Sequence, residues 1–130
     1  MHEMTTLYEK IGGAEKVRQL VEAFYPKVQA HPLLKPLFPE QIRPVMEKQY
    51  MFLTQFLGGP PLYTEKYGHP MLRARHLPFP ITPSRANAWL ECMDQAMDEA
   101  GITGQEREEF FSRLVIAAHH MINQPEPASE

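Results

Sequence analysis

Apolar residues recur at spacings of three and four along most of this chain, the period of helices buried on one face. From about Ala14 to Ala30 the stripe is Val17, Leu20, Val21, Phe24 and Val28, with Tyr25 at its edge. Pro26 follows inside the same segment. A proline there removes a backbone donor and disfavours helical geometry at the residue before it, at a cost of about 3 kcal/mol, so a kink or adjusted turn is expected. A second helix is predicted from about Ile42 to Leu57, with Pro44 tolerated in its first turn. Its stripe is Ile42, Val45, Gln49, Phe52 or Leu53, and Phe56. Gln49 is the polar member of that face. An unpartnered buried amide costs roughly 1–3 kcal/mol, so Gln49 either points out or has a partner. Thr82 and Pro83 give an N-cap and a first-position proline for a third long helix, which runs to Ala100 and stops at Gly101. Ala86, Trp89, Leu90, Met93, Ala96 or Met97, and Ala100 form its buried face. The fourth runs from about Gln105 to Ile122 on Phe110, Phe111, Leu114, Val115, Ala118 and Met121.

Shorter signals fill the gaps. Thr6 and Glu9 have capping-box spacing for a short first helix, which Gly12 and Gly13 break. Leu33 to Pro39 reads as an apolar loop. Tyr63 to Phe79 is bounded by Gly58, Gly59, Pro60 and Pro61 on one side and by Pro78, Pro80 and Pro83 on the other. Within it His76 lies on a short helix with arginines beside it. No segment shows strand alternation with hairpin turns. The predicted fold is all-α, with four main helices and long or proline-rich connections.

Composition narrows the class. The chain has 130 residues, 43% apolar and 22% charged, which suits a single domain over 1–130 with one core. The tail from Gln124 to Glu130 reads as frayed and solvated. A formal net charge of −3 gives no basic field for nucleic acid. No apolar run approaches a membrane span, and no secretory signal is visible at the N-terminus. The lone Cys92 excludes an internal disulfide and fits a reducing cytoplasm.

Several chemistries lack their residues. There is no Glu-x-x-His pair for a di-iron bundle, no His-Glu-x-x-His, no Cys-x-x-Cys, no Gly-x-Ser-x-Gly and no glycine-rich phosphate loop. His119 and His120 are adjacent, face about 100° apart, and cannot share a ligand on one helix face. His76 remains. Neutral imidazole is the commonest metal ligand, and a proximal histidine holds iron in oxygen-binding haem proteins. The same pattern also describes a helix-end histidine satisfied by backbone or solvent, and the stretch alone leaves both readings open. Tyr25, Gln49 and Trp89 add a second signal. Each can donate a hydrogen bond, and each comes from the apolar face of a different helix.

Together these residues resemble a truncated haemoglobin of the second of that family's three groups. The resemblance is carried by Phe24 and Tyr25, by Phe38, and by Gln49 with Met51, Phe52 and Leu53. It continues through Gly58, Gly59, Pro60 and Tyr63, the run Gly68, His69, Pro70, Leu72, Arg73, Arg75, His76, Pro78 and Phe79, and then Ala88, Trp89 and Leu90. It spans about residues 6 to 123. It implies a truncated-globin fold, a two-over-two helical sandwich around one haem b per chain. It implies His76 as the proximal iron ligand, and Tyr25, Gln49 and Trp89 as the ligand-binding residues on the distal side. Phe38, Val45, Phe52, Leu53, Tyr67, Met71, Phe79 and Trp89 would lie against the macrocycle, with Arg75, Tyr63 and Lys48 at the propionates. Val45 stands where globins often place a distal histidine, and Phe38 where some relatives have tyrosine. Both remove a possible donor.

Two functions follow from the resemblance. One is reversible binding of O2 and other diatomic ligands at ferrous haem, tight and slow to release. The other is a haem redox enzyme for nitric oxide dioxygenation or peroxidase-like turnover, served by a reductase. A cofactor-free helical interaction module is the third class, and a haem spectrum would exclude it.

Overall fold

The computed structural model describes residues 5–127. It contains seven α-helices among these residues: α1 Leu7–Ile11, α2 Gly13–Ala30, α3 Arg43–Phe56, α4 Leu62–Tyr67, α5 Leu72–His76, α6 Pro83–Ala100 and α7 Gly104–Met121. A single 3-10 turn, Lys35–Leu37, interrupts the loop after α2. There is no strand among the described residues. None of the helices is long and apolar enough to cross a membrane.

The four long helices form two pairs, α2 with α3 and α6 with α7, joined through α2 and α6. This is the two-over-two sandwich. Val17, Leu20, Phe24, Leu53, Met93, Met97 and Phe110 are fully enclosed between the layers. Each of these positions was on a stripe read from the sequence, because burial on one helix face leaves a period that composition alone does not hide.

Local chemistry sets most of the boundaries. The Thr6 hydroxyl accepts from the Glu9 amide at 3.1 Å and opens α1. Thr82 does the same for Arg85 at the start of α6, at 3.2 Å. Gly101, with φ of 74°, closes α6 in the left-handed conformation that glycine favours. Gly59 lets α1 close on α3: a Cβ there would sit 2.8 Å from the Tyr8 ring and 2.9 Å from the Thr54 carbonyl.

The structure refines expectation at three places. Helix α2 continues through Pro26 without a break. Pro26 and Glu22, whose carbonyl loses its helical partner, are both exposed. The Tyr63–Phe79 stretch divides into two short helices, because Gly68 ends α4 at a φ of 81°. Beyond α7, Gln124 and Glu126 are exposed yet tied: the Gln124 amide donates to Ile81 O at 3.2 Å, and the Glu126 carboxylate accepts from the Ser84 amide at 2.5 Å. His2 and residues 128–130 lie outside the described residues.

Candidate haem site

A cavity of about 490 Å³ is walled by residues from every helix except α1. That is within the size range of sites for compact organic ligands. Most of its wall is apolar, with Phe38, Val45, Phe52, Leu53, Phe79 and Leu114 among the lining side chains.

His76 enters this wall as the last residue of α5. Its Nδ1 lies 2.7 Å from the Leu72 carbonyl oxygen one turn earlier. A carbonyl only accepts, so Nδ1 must carry the proton. Nε2 is then left with its lone pair, in the neutral tautomer that ligates metals. The same hydrogen bond fixes the ring's orientation, as the outer partners of metal-ligating histidines do. His31, by contrast, spends its Nδ1 accepting from the Leu33 amide at 3.2 Å in a turn.

Tyr25, Gln49 and Trp89 all line the same cavity, brought together from α2, α3 and α6. Phe24 positions two of them. Its ring meets Tyr25 edge-on at 4.9 Å and Trp89 at 5.3 Å. Tyr25 is only 2% exposed, and its far side meets Phe38 edge-on at 6.1 Å. Burial holds the Tyr25 phenol well above the usual tyrosine range. It therefore stays protonated and available as a donor. Gln49 is half-buried and lines the cavity. Cys92 is buried in the core, and burial first, then Glu91, pushes its thiol up toward an unreactive state.

Cations line part of the rim. Arg75 and Lys48 are in the wall, and Arg75 is held by the Pro70 carbonyl at 2.8 Å. Its guanidinium also sits 5.6 Å from the centre of the Tyr63 ring, another wall residue. Tyr67 and Met71 are not part of the wall. Tyr67 instead stacks on Tyr63 at 5.0 Å and receives Lys48 over its ring at 5.2 Å. Met71 has a left-handed backbone with φ of 46° and is 62% exposed, so its side chain stands in solvent.

Sequence reasoning did not pick out Arg85, Ala86, Leu114, Ala118 or Met121 as cavity residues. Leu114, Ala118 and Met121 were legible as an apolar stripe. Period identifies a buried face but not whether protein or a cavity lies opposite it.

The family model described as bacterial-like globin matches residues 6–123. The chain belongs to that family. Among curated proteins, this globin is 60% identical over 119 residues to a group 2 truncated hemoglobin of Bacillus subtilis (strain 168), covering 92% of this chain and 89% of the relative. A crystal structure of the group II truncated hemoglobin from Bacillus anthracis superposes with a TM-score of 0.95 at 54% identity, covering 97% of each chain. An X-ray structure of a truncated oxygen-avid haemoglobin from Bacillus subtilis matches with a TM-score of 0.89 at 59% identity, covering 92% of this chain and all of that one.

Membership in the globin family implies haem and, with it, binding of diatomic gases. The residues present fit such a group. The cavity has apolar walls for a flat macrocycle, an imidazole with a bare Nε2, and cations for acidic side groups.

Proposed function

We propose that this truncated globin holds one haem b per chain through His76 and binds O2 and other diatomic ligands tightly, with slow release. The observation that carries the reading is the 2.7 Å hydrogen bond from His76 Nδ1 to Leu72 O in the cavity wall, which in the neutral ring puts the lone pair on Nε2. When bound, the haem supplies the iron at which a diatomic ligand is held.

The chain's own residues do the rest. His76 supplies a neutral nitrogen from the proximal side. Arg75, Lys48 and Tyr63 take the propionates, with Arg75 giving directional, charge-assisted bonds to carboxylate. Tyr25, Gln49 and Trp89 present donors to the ligand in a pocket with mostly apolar walls. Preorganised donors in such surroundings favour a molecule that gathers negative charge on its outer atom. O2 does so far more than CO. Val45 offers no donor, so the discrimination rests on the three. The oxygen-avid character of the Bacillus subtilis haemoglobin supports the same reading.

Titration of the purified protein with haem tests this directly. The account expects saturation at one equivalent and a reduced spectrum that shifts separately with O2 and with CO. A protein that takes up no haem, or whose reduced spectrum ignores both gases, overturns it.

A further inference from the structure

His76 ends a helix of five residues. One turn of helix cannot hold its own shape in water, because the cost of nucleation is not recovered over so few bonds. No residue of α5 is fully buried. Leu72 and His76 are only half-buried, so hydrophobic packing alone does not fix the helix, and hydrogen bonds from outside α5 help to place it.

The Asn123 side chain supplies three of them. Its Nδ2 donates to the His76 carbonyl at 3.2 Å and to the Phe79 carbonyl at 2.8 Å. Its Oδ1 accepts from the Ile81 amide at 3.0 Å. Its own backbone amide donates to Ile81 O at 2.9 Å. Arg73 adds a parallel tie, donating to the carbonyls of His120 at 2.7 Å and Ile122 at 3.0 Å. The end of α7 thus grips both sides of the histidine. An amide suits the task because it is donor and acceptor at once.

We propose that Asn123 is a positioning residue for the proximal histidine, clamping the His76–Ile81 segment to the end of α7. The inference rests on His76 being the iron ligand. Without the clamp, the carbonyl of His76 loses its Asn123 donor. The segment then moves more freely, and the imidazole is held less firmly toward the cavity.

The test uses the full chain loaded with haem and reduced, and reads the iron–histidine stretching band by resonance Raman. Asn123→Ala should broaden the band and move it to lower wavenumber. It should also speed haem transfer to excess apomyoglobin about tenfold, the scale expected for losing these neutral hydrogen bonds. Asn123→Asp keeps an acceptor for Ile81 but loses both donors, and should reproduce the shift. Arg107→Ala is the stability control. It removes a clamp between α6 and α7 at Asp94 and Asp98, so it should lower the melting temperature and leave the band unmoved. In the apoprotein, amide exchange at Phe79 and Ile81 should quicken in Asn123→Ala alone. An unchanged band and haem-transfer rate in Asn123→Ala, or the same shift in Arg107→Ala, overturns the inference. A wild-type protein with no histidine-linked band overturns the proximal reading instead, while the exchange data still report on the clamp.

Discussion

The two sides of the cavity are built by different physics. Tyr25, Gln49 and Trp89 stand on helices of 14 to 18 residues, and α2 alone buries Val17, Leu20, Val21, Phe24, Tyr25 and Val28. Their positions come from close packing, which resists displacement in every direction. His76 stands on a five-residue helix with no fully buried residue, between Met71 and Leu77, which are 62% and 57% exposed. Its position comes from hydrogen bonds: one to Leu72 for the ring, with Arg73 and Asn123 holding the backbone. A packed wall gives the donors a fixed aim. A wired wall, one tied by hydrogen bonds, has less packing to resist local opening.

The largest effect expected is from His76→Ala. It should abolish axial nitrogen ligation and sharply weaken haem retention. An unchanged five-coordinate reduced spectrum in this variant would mean another residue holds the iron. Next comes Phe24→Ala, which leaves a void beside both Tyr25 and Trp89. Thermal or urea unfolding should show a loss of about 3–5 kcal/mol. Leu77→Ala on the wired side should stay within about 0.5 kcal/mol. Similar losses in the two variants would erase the distinction between the walls. A small effect is also expected from Arg75→Ala. An exposed ion pair is worth about 1 kcal/mol or less, so haem loss to an acceptor should quicken modestly while O2 affinity holds. A large affinity change with normal haem retention would contradict its place at the propionates.

The packed wall was the more legible in sequence. Val17 to Val28 and Ala86 to Ala100 announce themselves by period, and Thr82, Pro83 and Gly101 mark their ends by local chemistry. The wired wall was legible only in part. His76, Arg73 and Arg75 stood out as a motif. The ties that place them run from residue 73 to 120 and 122, and from 76 to 123, and no local pattern encodes such a pairing. Asn123 was not singled out in the sequence for that reason. Met71, expected against the macrocycle, has a left-handed backbone after Pro70 and is 62% exposed. Pro26 lies inside a continuous α2. Its effect depends on whether the freed carbonyl meets water, and exposure is a tertiary property.

The central claim is that Tyr25 and Trp89 act on the bound ligand as hydrogen-bond donors and not merely as packing. Stopped-flow release of O2 from Tyr25→Phe and Trp89→Phe, with CO release as the packing control, tests it most directly. A hydrogen bond to a charged group is worth about 1.5–3 kcal/mol. Each variant should therefore release O2 on the order of tenfold to a hundredfold faster, with CO release nearly unchanged, and the double variant should fall short of the product of the two. If O2 and CO release shift by the same factor in both variants, the two side chains only fill space and the account of the pocket is wrong.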